Sequence, residues 1–89
     1  MKFALGRLLA TPLALHALVK TGERPEQFVA RHVTGDWGAV APEDAAQNER
    51  ALASGERIVS EYQLKSGTRL WIITEADRSA TTILLAEEY

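Results

Sequence analysis

The chain has 89 residues, 46% of them apolar and 25% charged, with no cysteine and a formal net charge of −2, which is the make-up of one globular domain rather than a disordered segment. Without cysteine there is no disulfide and no thiolate metal site. The acidic balance also lacks the basic footprint that binding to a phosphate backbone leaves.

Lys2 and Arg7 ahead of the apolar run Leu8–Val19 have the outline of a secretion signal, but Pro12 and His16 interrupt the run and no small-x-small cleavage site follows. The run is too short and broken to span a bilayer. The expectation is a cytoplasmic chain with no membrane contact. Phe3, Leu5, Arg7 and Leu9 alternate with Lys2, Ala4, Gly6 and Leu8, which predicts a short strand over Lys2–Leu9 that can be added to a sheet.

Thr11-Pro12 starts a first helix, with a hydroxyl at the N-cap and proline where a missing N–H costs nothing. Leu15, Leu18 and Val19 share its expected buried face, and Thr21-Gly22 stops it. Pro25 opens a second helix with Glu26 in its first turn. Phe28 and Val29, with His32 or Val33, form its inward face, and Gly35 is its stop. A third helix runs from Pro42 to Gly55, with Ala45 and Leu52 as its main apolar residues. It is expected on the surface, lightly packed. The helical spans are 12–20, 25–34 and 42–54.

From Arg57 the period changes from 3.6 to 2, which predicts strands at 57–64, 68–75 and 80–86. A three-residue Lys65-Ser66-Gly67 loop puts Gly67 at the left-handed position of a bulged hairpin. Leu64–Thr68, Tyr62–Leu70 and Ser60–Ile72 then face one another on one side. On the other lie Val59–Ile73, Glu61–Trp71 and an Arg57–Glu75 ion pair. The expected fold is therefore α+β in one domain over 1–89: three short helices followed by a three-stranded antiparallel β-meander, with the N-terminal strand as an addition. Leu15, Leu18, Phe28, Leu52, Ile58, Leu70, Ile72 and Leu84 are its expected core.

No P-loop, GxGxxG, HExxH, GxSxG or CxxC motif is present. His16 and His32 lie on different helices without a carboxylate at ligand spacing, so neither a metal nor another cofactor is expected. Gly35-Asp36-Trp37-Gly38 reads as a turn in which Asp36 caps an amide and Trp37 plugs the core edge, or as a loop that presents Trp37 to a partner. Glu75–Ser79 reads as a charged hairpin turn that protects a sheet edge. Alternatively, Glu75, Asp77, Arg78 and Ser79 converge with Arg57. A carboxylate base with arginine on phosphate is a metal-independent route to phosphodiester cleavage, and His32 is a further acid–base candidate. Glu87-Glu88-Tyr89 is expected to be solvated.

His32-x-x-Gly35-Asp36-Trp37-Gly38, Asp44-x-x-x-Asn48 and Trp71-Ile72-Ile73-Thr74-Glu75-Ala76-Asp77-Arg78-Ser79, ahead of Ile83-Leu84-Leu85 and Glu87-Glu88-Tyr89, resemble a family of bacterial proteins of about this length. Its members are often labelled plasmid-related or mobile-element proteins, and sometimes restriction-system subunits. The resemblance implies a bacterial cytoplasmic protein encoded near horizontally transferred genes, and brings no activity, cofactor or catalytic residue with it. The order of helices then meander is also that of barnase-like and RelE-like ribonucleases, an analogy of topology alone.

The expected function is a non-enzymatic accessory protein of a mobile element that binds a macromolecule, a protein rather than nucleic acid, in plasmid maintenance or modulation of host defence. Asp36, Trp37, Trp71, Asp77 and Arg78 are its candidate contacts, and a homodimer fits the same surfaces. One alternative is a small ribonuclease of the toxin type using His32, Arg57, Glu75 and Arg78. Another is a structural domain that self-associates through a sheet edge.

Overall fold

Each of the three prolines opens a helix. The computed structural model describes all residues, Met1–Tyr89. Its elements are β1 (Arg7–Ala10), α1 (Pro12–Thr21), α2 (Pro25–Val33), α3 (Pro42–Ser54), β2 (Ile58–Gln63), β3 (Arg69–Thr74), β4 (Ala80–Leu85) and a closing 3-10 turn, Ala86–Glu88. Pro12, Pro25 and Pro42 stand in the first turns of α1, α2 and α3, where the amide they lack would have no helical partner. The Thr11 hydroxyl accepts from the Ala14 amide at 3.1 Å to cap α1.

The fold is α+β, built on a four-stranded mixed sheet of order β1-β4-β3-β2. β2, β3 and β4 form the antiparallel meander, and the facing pairs of β2 and β3 include Ser60–Ile72, Glu61–Trp71 and Tyr62–Leu70. The Leu64 amide donates to Thr68 O at 2.8 Å, which closes the Lys65-Ser66-Gly67 loop around a left-handed Gly67 (φ 91°). The N-terminal strand corrects the expected order of helices first. It begins at Arg7 rather than Lys2, precedes every helix and pairs in parallel with β4, Leu8 beside Thr81 and Ala10 beside Ile83.

One face of the sheet carries Ile58, Tyr62, Leu64, Leu70, Ile72, Ile83 and Leu85, all buried. Ala14 and Leu18 of α1 and Phe28 and Val29 of α2 cover it. The expected face of α1 is corrected: Leu15 is 44% exposed and Val19 77% exposed, while Ala14 takes the buried place beside Leu18. α1 is apolar on most of its circumference, so periodicity leaves its rotation open. The Thr11 amide donates to Ile83 O at 3.0 Å, and this tie to β4 sets the rotation. Leu52 and Leu84, expected in the core, are half-buried.

α3 lies against β2, where Asn48 and Ala51 are its buried residues and Ala45 and Leu52 are half-buried. Asn48 Nδ2 donates to Val59 O at 2.7 Å, and the Val59 amide donates to Asn48 Oδ1 at 3.1 Å. Next along the strand, the Ala39 amide donates to Glu61 O at 2.7 Å and the Glu61 amide to Trp37 O at 3.1 Å. The outward groups of β2 at Val59 and Glu61 are thus filled from within the chain, which closes that edge to strand addition. Between Trp37 and Ala39 the backbone comes so close that a Cβ on Gly38 (φ 73°) would meet Glu61 O at 1.9 Å. Only glycine fits there.

Candidate functional site

His32, read as an acid–base candidate, is fully buried on the α2 face that covers the sheet. Its Nδ1 lies 2.5 Å from Ser60 Oγ and its Nε2 lies 2.9 Å from Thr74 Oγ1. Thr74 Oγ1 is in turn 2.7 Å from Thr81 Oγ1, and Thr81 donates to Leu5 O at 2.7 Å. That last bond orients the whole series. The Thr81 hydrogen goes to a carbonyl, which can only accept, so Thr74 must donate to Thr81. Thr74 therefore accepts from His32 Nε2–H, leaving Nδ1 to accept from Ser60. One neutral tautomer satisfies every group. Burial pushes the His32 pKa down from 6.5 to about 4, and Phe3 and Trp37 close over the ring at centroid distances of 5.1 and 6.0 Å. His32 is a structural histidine tying α2, β2, β3, β4 and the N-terminal segment together.

Trp37 is corrected in the same region. Its side chain is 6% exposed, its Nε1 donates to Glu49 Oε2 at 2.8 Å, and Phe3 stacks on it at 6.2 Å. It joins Ala51 and Ile58 in a second core cluster under α3, so it plugs the core and offers no contact surface. Asp36, beside it, is exposed and takes Arg31 Nε at 2.7 Å. That bond holds the Asp36 carboxyl below its ordinary range. Asp36 also accepts the Gly38 amide at 3.2 Å, and its own carbonyl takes the Tyr62 hydroxyl at 2.6 Å. It shapes the turn.

Arg78 belongs to the β3–β4 turn, where it is the one non-glycine residue at positive φ (60°). Its guanidinium donates to Glu56 O at 2.7 Å, Ala51 O at 2.9 Å, and Glu75 O at 3.1 Å. A cation on the last carbonyls of α3 also meets the negative end of the helix dipole. Arg78 is a clamp between α3 and the turn, with its donors spent on backbone. Asp77 is exposed in the same turn and accepts the Ser79 amide at 3.0 Å, and hydrogen bonds from Ser79 hold its carboxyl low. Arg57 does not pair with Glu75: it donates to the Tyr89 hydroxyl and lies over that ring, 5.4 Å from its centroid. His32 is on the covered face of the sheet and Arg57 on the opposite side, so the set His32, Arg57, Glu75 and Arg78 does not assemble into one cleft.

The structure builds a different site on the outer face of the sheet. Trp71 is half-buried there, with Nε1 donating to Glu61 Oε1 at 2.8 Å, and Arg69 approaches the same oxygen at 3.5 Å. Tyr89 is exposed, as expected, and its ring also rests against Trp71 at a tilt of 50°, with centroids 5.0 Å apart. The turn at Ala86–Glu88 brings it there, fixed by Glu88 Oε1, which accepts from the Leu85 amide at 2.8 Å and from the Thr11 hydroxyl at 2.7 Å. Trp71, Tyr89 and Arg57 form one wall of a cleft of ≈ 450 Å³, with Val40, Asp44 and Gln47 on the α3 side. Asp44, Glu56 and Glu61 outnumber Arg57 among its charged residues. Of the residues singled out by sequence, it contains Trp71 and Arg57.

The cleft combines an aromatic wall with a surplus of carboxylates and has no histidine in its lining. Asn48, Tyr89 and Val40 were not singled out as contacts in the sequence, and only the apolar run Leu70–Ile73 pointed to this face. No family model matches the chain, and neither a curated protein nor a solved structure is significantly similar to it.

Proposed function

We propose that this chain is a non-enzymatic binding protein whose outer-face cleft docks a segment of a partner protein. The observation that carries the reading is the Trp71–Tyr89 pair: two large aromatic rings in tilted contact on the outer sheet face, lining a cleft of ≈ 450 Å³. Aromatic anchors of this kind supply contact area at low entropic cost and dominate protein interfaces. The carboxylates of Asp44, Glu56 and Glu61 favour a partner segment that carries lysine or arginine. Action in the cytoplasm as an accessory of a mobile genetic element is part of this proposal, and rests on the resemblance of His32–Gly38 and Trp71–Ser79 alone.

The test places a photo-crosslinking amino acid at Gln47, on the far wall of the cleft, in full-length protein expressed in the host that encodes it. A discrete crosslinked protein that disappears in Trp71→Ala, with the fold intact, is the expected result. Crosslinking that is diffuse, or indifferent to Trp71, sinks the reading.

A further inference from the structure

The two edges of the sheet are treated differently. At β2, Asn48, Trp37 and Ala39 fill the outward backbone groups of Val59 and Glu61. At β1 nothing does so. The Arg7 amide donates to Ser79 O and the Thr11 amide to Ile83 O, so the odd residues bond inward to β4. Leu8 and Ala10, between them, turn N–H and C=O outward. Leu8 is 56% exposed and Leu9 41%, although leucine is a poor guard for a free edge. A groove of ≈ 350 Å³ runs alongside, lined by Leu8, Ala10, Pro25, Val29 and Ala30.

We infer that the β1 edge is an interface for a second copy of this chain, paired antiparallel about a two-fold axis at Leu9. This register matches donors to acceptors on both sides. Leu8 of each copy faces Ala10 of the other, and each such pair exchanges both of its free hydrogen bonds. Leu8 and Ala10 share the face of Thr81 and Ile83, so the incoming strand sets its Leu8 along the groove beside Val29. Leu9 meets Leu9 across the axis on the other face. The charges agree as well. Arg7 is exposed and pairs with no carboxylate in its own chain. In this register it stands across from Thr11 of the second copy, whose hydroxyl is held on Glu88. Each copy thus supplies one arginine and one glutamate to opposite ends of the interface. The two sheets become one, and both Trp71 faces stay open.

Because the chain has no cysteine, Leu9→Cys introduces a single thiol. In a non-hydrogen-bonded antiparallel pair the two Cα atoms stand about 4.5 Å apart, within disulfide reach. Mild oxidation should convert Leu9→Cys to a covalent dimer well ahead of Val19→Cys, a more exposed control at 77%. In sedimentation equilibrium the unmodified protein should reach twice the monomer mass at about 100 μM, where a dimer of micromolar affinity is filled. Leu9→Lys should weaken that association on the order of a hundredfold, as two leucines leave the contact and two like charges face each other. Its circular dichroism should match that of the unmodified protein, since Leu9 touches water in the monomer. A monomer at that concentration overturns the inference and leaves the edge to a strand from another protein. So does disulfide formation no faster than in Val19→Cys, or a dimer that Leu9→Lys leaves intact.

Discussion

His32 donates from Nε2 to Thr74 Oγ1 across 2.9 Å, and this bond selects the tautomer of a fully buried histidine whose Nδ1 then accepts from Ser60. Protonating Nδ1 would turn it from acceptor to donor and leave the Ser60 hydroxyl hydrogen without its partner. The folded pKa is about 4 against 6.5 in water, so between these values the unfolded chain binds the proton and the folded chain does not. Stability should therefore be full above pH 6.5 and fall as the pH drops toward 4, by about 3 kcal/mol in total. Urea unfolding at pH 7 and pH 4.5 measures the slope, and His32→Gln should remove it. Asp36, held low by Arg31, adds a loss only as the pH falls below the ordinary carboxylate value of 3.8.

The tryptophans divide between core and surface. Trp37→Ala should cost about 3–5 kcal/mol, because it empties a site shared with Phe3, Ala51 and Ile58. That is much of the stability of a small domain. Trp71→Ala should cost about 1–2 kcal/mol, since the side chain is half in water and loses one hydrogen bond to Glu61. Thermal unfolding of the two variants gives the order, and equal losses would place Trp71 in the core as well.

Arg78→Ala should destabilise by about 2–3 kcal/mol, through the loss of charge-assisted bonds to Ala51 O and Glu56 O. Arg78→Lys should recover little, because an ammonium cannot span carbonyls on both α3 and the turn. Denaturant midpoints decide it: a lysine variant as stable as the unmodified protein would mean that charge alone matters there.

Much of the scaffold was legible because local rules specify it. Proline marked each helix start, behind a Thr11 cap in α1 and ahead of acidic residues in α2 and α3, and Gly67 with the alternation on either side specified the β2–β3 register, including Glu61 beside Trp71. The partner of β1 was not legible, since alternation identifies a strand without naming its neighbour, and β4 lies more than seventy residues away in sequence. Ser60, Thr74 and Thr81 carry no periodic mark that separates a buried hydroxyl series from ordinary β-branched or small strand residues. Tyr89 follows a turn too short to have a period, so the ring that completes the cleft beside Trp71 could be found only in three dimensions.

Asn48 is the residue on which the closed edge of β2 turns. Its carboxamide supplies both an acceptor and a donor to Val59, copying what a neighbouring strand would offer. Asn48→Ala leaves the N–H and C=O of half-buried Val59 without protein partners at the floor of the cleft, and should cost about 1–3 kcal/mol. Asn48→Asp is the sharper variant. One carboxylate oxygen can still accept from the Val59 amide at 3.1 Å, but the other stands against Val59 O where Asn48 has a donor. It should therefore be at least as unstable as alanine at neutral pH, and recover when acid protonates the carboxyl. Beyond stability, both changes expose β2 as a strand template, which should raise the concentration dependence of light scattering. Leu9→Lys should not suppress that scattering, because Leu9 sits on the opposite edge of the sheet. Scattering that rises in Asn48→Ala and falls again with Leu9→Lys would mean that both variants act through β1, and that Asn48 does not guard β2.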